Sequence, residues 1–161
     1  MPTIKRLSGF TLIEIIVVLA VIAILMTMAM PNTTNRVAQM HVKESVELIE
    51  PFKKQLSDYH RFNGKFPSNN KAAGIPEPDK IMGNYVTSVE LIDGALHLTL
   101  GHKAHKQLQG KLLSIRPIYV AGSPGSPISW VCGFDEVPKA MQVSGDNLTD
   151  VEILQLPISC R

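Results

Sequence analysis

The sequence predicts an α+β protein: a long N-terminal helix, transmembrane in its first half, packed on a four-stranded antiparallel sheet, with a disulfide-closed C-terminal loop. Three observations carry this. Residues 15–30 run for sixteen positions without a charge. Two strand-forming runs flank Asp93-Gly94. The two cysteines of the chain, Cys132 and Cys160, both fall in its last third.

The apolar run comes first. Phe10 to Met30 is 21 residues, about 31 Å as a helix at roughly 1.5 Å per residue, which matches a hydrocarbon core of about 30 Å. Lys5 and Arg6 precede it, so the positive-inside tendency keeps the first residues in the cytoplasm and exports the rest. Glu14 is the anomaly, because an ionised carboxylate in lipid is costly without a partner. A secretory signal is cut after its apolar core. A cut after Gly9 would instead remove the basic residues and keep the apolar ones. It would also place a new ammonium on Phe10, four residues from Glu14.

Helical character continues past the membrane. Val37, Met40, Leu48, Ile49, Phe52, Leu56 and Tyr59 recur mostly at spacings of three, four or seven, as on one face of an amphipathic helix. Pro31 and Pro51 each remove a backbone donor and should kink or loosen it. Asn63-Gly64 is a stop signal, with Pro67 just beyond. The helix is thus expected from Phe10 to about Phe62. Lys65 to about Met82 is rich in Pro, Asn, Lys and Gly and reads as loop.

Strand signals follow. Residues 85–92 and 95–100 are joined by Asp93-Gly94, a hairpin signature. Leu96, Leu98 and Leu100 alternate with Ala95, His97 and Thr99, so one face is expected to be buried. A third strand is expected over residues 112–120, where Pro117 favours an edge position or a bulge. A fourth is expected over residues 128–132. The apolar face of this sheet should pack on the helix through Leu48, Phe52, Leu56 and Tyr59. Cys132 and Cys160 lie in the exported part, where paired cysteines oxidise. Their bond would close residues 132–160 and contribute roughly 3–4 kcal/mol on the chain-entropy account.

The N-terminal stretch also carries a resemblance. Lys5-Arg6-Leu7-Ser8-Gly9-Phe10-Thr11-Leu12-Ile13-Glu14 resembles the class III signal of type IV prepilins, with Gly, Phe, the Thr-Leu-Ile run and Glu at that family's spacing. Pro31 and Pro51 fall where type IV pilins carry the two prolines of an S-shaped helix. The residues 85–89, Trp130-Val131-Cys132-Gly133 and the loop closed by Cys132 and Cys160 are similar to the type IVa pilins of Gram-negative bacteria. The resemblance implies cleavage after Gly9 by a membrane prepilin peptidase and N-methylation of Phe10. It also implies pairing of Glu14 with the N-terminal amine of the preceding subunit. Each buried charge would be costly alone, whereas a matched pair fixes axial register while adding little net stability.

On this resemblance residues 1–9 are a leader, residues 10–31 a transmembrane and assembly helix, and residues 32–161 an exported head. The implied function is structural, as a subunit of a pilus used for adhesion, twitching or DNA uptake. The implied partners are the peptidase, other pilin subunits and an inner-membrane assembly platform. A minor pilin, a type II secretion pseudopilin and a DNA-binding competence pilin are the alternative readings; the cysteine loop counts against the pseudopilin.

Composition and motifs exclude other classes. The net charge of +2 comes from Lys5 and Arg6, so residues 10–161 carry 14 basic and 14 acidic side chains. That balance gives no global pull toward nucleic acid. The most basic patch is His102-Lys103-Ala104-His105-Lys106 with Lys111. It is a candidate DNA contact, but no aromatic is interleaved for base stacking. His102 and His105 lack a third metal ligand. His41, His60 and His97 read as scattered and solvated. Asp146, Asn147 and Asp150 lack EF-hand spacing and read as turn residues. Neither a nucleophile elbow, a phosphate loop nor an HExxH motif occurs, so no enzymatic activity, metal or cofactor is expected.

Overall fold

A line of small and apolar residues on the second part of the long helix sets where the core lies. In the computed structural model, which describes residues 9–29 and 33–161, the helix is divided into α1 (Leu12–Ala29), α2 (Thr33–Leu48) and α3 (Glu50–Asn63). The described residues separate into two units between Thr33 and Thr34. Pro31 and the leader upstream of Gly9 lie outside them.

Between α2 and α3 the helical ladder changes pitch. Pro51 stands in the first turn of α3 and has no N–H to donate. Around it the Ile49 N–H bonds Val46 O at 3.3 Å and the Phe52 N–H bonds Ile49 O at 3.0 Å, both three-residue steps. Gly64 ends α3 at φ +70°, its N–H bonding His60 O at 2.8 Å. This left-handed position suits glycine.

Ala38, Val42, Ile49 and Leu56 are fully buried on this helix, with Ser45 and His60 in the same line. The spacing of three, four and seven is as expected, but the register differs from the expected face. Val37 and Met40 are exposed, and Tyr59 is only half-buried. Leu48 and Phe52 are partly buried at the margin of the core. The buried line thus mixes small residues, Ala38 and Ser45, with the large Ile49 and Leu56.

The sheet has strand order β1-β2-β3-β4, all antiparallel, with β1 Val86–Ile92, β2 Ala95–Leu100, β3 Leu112–Tyr119 and β4 Ser129–Cys132. A short β5, Gln142–Val143, pairs with the far end of β3 and was not expected. Asp93 and Gly94 take φ +47° and +89° and form the tight turn of the first hairpin. A Cβ on Gly94 would stand 2.7 Å from Phe66 Cβ, so the turn also needs glycine for space. In β1 the register shifts between Val86 and Ser88. That irregularity lets Val86, Val89 and Leu91 all reach the core.

Pro117 is not on an edge strand, because β3 lies between β2 and β4. Its carbonyl accepts from Ser144 N at 3.1 Å, so its nitrogen faces the same side, beyond the last β2 pairing at Leu96–Ile115. No ladder donor is needed there, and the proline is tolerated.

The expected one-sided burial of β2 also fails. Ala95 and His97 are buried along with Leu96 and Leu98. The reason is a second covering layer. Ser144 Oγ donates to Asp93 O at 2.6 Å, and the Leu148 N–H donates to Ser114 Oγ at 2.8 Å. Gly145 lies directly against Ala95, close enough that an added Cβ would collide with it. The C-terminal loop therefore crosses the sheet face opposite the helix.

The segment read as loop over residues 65–82 contains a helical turn, α4 (Asn70–Ala73), capped by Asn69 accepting from Ala72 N at 2.9 Å. Asn70 is 6 % exposed. Its side chain accepts from Leu91 N at 2.7 Å and donates to Val89 O at 3.0 Å and Pro76 O at 2.8 Å. It thereby satisfies backbone groups on the outer edge of β1 and ties the segment to the sheet.

Candidate assembly segment and surface sites

The N-terminal motif is a helix start. Thr11 caps α1: its Oγ1 accepts the Glu14 N–H at 3.3 Å, and Glu14 Oε2 accepts the Thr11 N–H at 3.4 Å. This reciprocal pair is a capping box, which the Thr-x-x-Glu spacing encodes. It turns the carboxylate of Glu14 back along the chain toward Phe10, where a negative charge also complements the helix dipole. Gly9 and Phe10 precede the helix and are exposed. Among the described residues nothing approaches within 4 Å of the position a Cβ on Gly9 would take.

Along α1 the apolar side chains point outward on every side, from Leu12 and Ile13 through Leu25 and Met26. Among the described residues no helix is long and apolar enough to cross a membrane. α1 has 18 residues, about 27 Å at 1.5 Å per residue. The expected 21-residue span ends at Met30, outside the described residues.

In the second unit, Thr34–Arg161, the Cys132–Cys160 disulfide is formed, with a Cα–Cα distance of 4.4 Å. The Phe134 N–H donates to Cys160 O at 3.0 Å beside it. Gly133 takes φ +57°, and a Cβ there would meet Cys160 O at 2.6 Å. The last residues of the chain are thus clamped against the end of β4.

The basic patch is dispersed in charge. Lys103 and Lys106 are exposed in the connection between β2 and β3. Lys111, just before β3, pairs with Asp150 Oδ2 at 3.5 Å. Among the described residues no three His, Cys, Asp or Glu side chains are grouped to hold a metal ion.

The histidines expected to be solvated are structural. His41 stacks on Tyr85 at 3.9 Å, and its Nδ1 accepts the His105 N–H at 3.0 Å. That nitrogen therefore carries no proton in this arrangement. Burial lowers the His41 pKa, His105 lowers it further and Glu44 opposes both. His60 stacks on Phe66 at 4.3 Å, and burial lowers its pKa. His97 Nδ1 shares a 2.9 Å hydrogen bond with Ser114 Oγ under the C-terminal loop. Burial lowers its pKa and Arg116 adds to this, while Glu90 and Asp146 act the other way. The same burial lowers the Arg116 pKa, against Asp146.

A protein-family model described as Pilin (bacterial filament) matches residues 38–161. A second, the prokaryotic N-terminal methylation motif, matches residues 4–30. The chain is 33 % identical to the type IV major pilin protein PilE1 of Neisseria gonorrhoeae, over 96 % of this chain and 87 % of that one. The chain belongs to the type IV pilin family. It is also 30 % identical to the fimbrial protein of Neisseria meningitidis serogroup B, over 96 % of this chain and 94 % of that one. The fimbrial protein EcpC of Eikenella corrodens is 31 % identical, over 96 % and 90 %. As a pilin the chain is structural and not an enzyme. Its membership implies processing at an N-terminal methylation motif, residence in a membrane and passage into a pilus fibre.

Proposed function

We propose that this pilin is a structural subunit of a type IV pilus, assembled into a helical fibre after its leader, residues 1–9, is removed. The observation that carries the reading is the N-terminal capping box. It joins Thr11 to Glu14 and aims the carboxylate toward Phe10. Cleavage after Gly9 would release an amine on Phe10, the methylation site. In the fibre that amine meets Glu14 of a neighbouring copy, and the pair sets axial register.

Before assembly, residues 10–31 anchor the subunit in the inner membrane and residues 32–161 form the periplasmic head. Moving the helix from lipid into a helical bundle alters its apolar burial little, so the charge pair, rather than hydrophobicity, selects position. Prepilin peptidase and an inner-membrane assembly platform are the partners this route needs. The similarity to major pilins over nearly the whole chain favours the abundant subunit over a minor one. Adhesion, twitching or DNA uptake would follow from the head surface. The pairing of Lys111 with Asp150 weighs against Lys103, Lys106 and Lys111 acting together on DNA.

Two variants test the route. Gly9→Leu should accumulate as uncleaved precursor on immunoblots, and normal maturation would refute the cleavage site. Glu14→Gln keeps a residue able to complete the capping box while removing the charge. It should be cleaved and inserted normally yet be missing from sheared fibres; wild-type fibre yield would refute the pairing.

A further inference from the structure

The connection between β2 and β3 is pinned at both ends. At its start the Gly101 N–H donates to Tyr85 O at 2.9 Å and the Lys103 N–H to Asn84 O at 3.0 Å. Near its end Leu108 is fully buried. Between these anchors the connection touches α2 through a titratable ring: the His105 N–H donates to His41 Nδ1 at 3.0 Å. His105 also begins the short 3-10 turn Lys106–Leu108, its own Nδ1 accepting from Gln107 N at 3.4 Å.

The choice of acceptor sets the chemistry. A ring nitrogen accepts only while it carries no proton, so this bond requires a neutral His41. An imidazolium would set a second donor against the His105 N–H. A charged ring has another partner close by. Glu44 stands three residues on, on the next turn of the same helix, with its carboxylate held by Asn84 Nδ2 at 2.8 Å. The titratable groups around His41 are thus Glu44 on α2, His105 on the connection, and Tyr85, which precedes β1 and stacks on the ring at 3.9 Å. Burial first, then His105, hold the His41 pKa below its ordinary 6.5, and Glu44 opposes them. The bond is therefore kept at neutral pH and lost as pH falls through the lowered value.

We propose that His41 is a two-position acid latch: neutral, it accepts from His105 and holds the β2–β3 connection on α2; protonated, it turns to Glu44 and frees the stretch from His105 to Gln107. The pinned ends confine the movement to that stretch. It includes Lys106 and lies beside Lys103, so acid loosens the most basic part of the surface. The latch goes beyond the fibre reading and does not depend on it.

Amide hydrogen exchange of the detergent-solubilised full-length chain, followed by NMR and corrected for intrinsic rates, tests this. Between pH 7.5 and pH 4.5 the protection of the His105 N–H should fall about tenfold, and by more than that of Gly101 or Lys103. His41→Asn sets an oxygen that accepts but does not titrate at the place of Nδ1. Its His105 protection should stay within about threefold over the same range. Glu44→Gln removes the second position of the ring, and the loss should move to lower pH. Unchanged protection in the wild type would overturn the proposal. So would an equal fall at Gly101 and Lys103, a fall in His41→Asn matching that of the wild type, or an unmoved midpoint in Glu44→Gln. Should His41→Asn fail to fold, the wild-type ring decides the matter. Its own NMR titration must share a midpoint with the loss at His105, and separate midpoints would overturn the latch.

Discussion

α1 and the compact unit Thr34–Arg161 use the same apolar residue types to opposite ends. Leu12 on α1 is 78 % exposed, whereas Leu56 on α3 is fully buried. The difference lies in patterning. Around Leu56 the apolar residues recur on one helical face with charges between them, so the chain supplies its own partner, the sheet. Around Leu12 the apolar residues cover every face, and one surface of one sheet cannot cover them all. Their burial has to come from outside the chain, first from lipid and then from other helices. The only acid in the run, Glu14, is where such a helix can carry positional information, because neighbouring apolar registers differ little in energy.

That contrast gives an ordered set of tests. The largest effect is expected from Leu56→Ala, which opens a cavity in the packed core and should cost the unit Thr34–Arg161 about 2–5 kcal/mol. Leu19→Ala on α1 should leave the same transition unmoved. Denaturant midpoints of the detergent-solubilised chain, followed by Trp130 fluorescence, would measure both. Equal effects would contradict the division of labour between the two regions.

A smaller loss is expected from Asn70→Ala. It leaves the Leu91 N–H and the Val89 carbonyl without their side-chain partner and should cost about 1–3 kcal/mol. Hydrogen exchange should speed up at Leu91 before it does in β3. Uniform acceleration across the sheet would show that Asn70 does not act on the β1 edge.

The smallest effect is a dependence on acidity. His41, His60 and His97 all have folded pKa values lowered by burial from an ordinary value of 6.5. The unfolded chain therefore binds more protons than the folded one as pH falls below about 6.5, and stability drops with it. It is fully present above that value. The unfolding midpoint should fall between pH 7 and pH 5, and His97→Gln should flatten the slope. A midpoint that rises on acidification would contradict the burial of these rings.

Much of this architecture was legible because its signals are local. Asp93-Gly94 names its own turn, and the cysteines name their bond. What escaped depends on tertiary approach. Ala38, Ser45 and His60 lie on the buried line of the helix, but a search for large apolar residues selects Val37, Met40 and Tyr59 instead. His97 and Ala95 read as the wet face of β2 because nothing local announces that residues 144–148 will cover them. Asn70 sits in a stretch whose composition reads as loop, and its role exists only once β1 lies beside it. Pro117 reads as an edge position or a bulge because it lacks a donor; it is tolerated inside the sheet because the β2 pairing ends before reaching it, a matter of strand length that no single strand encodes.

The most direct test of the central claim is mass spectrometry of fibres sheared from cells producing this chain. The account predicts that the chain dominates them, beginning at N-methylated Phe10 and retaining the Cys132–Cys160 bond. A chain that remains uncleaved before Phe10, or that is processed but missing from the fibres, would contradict it.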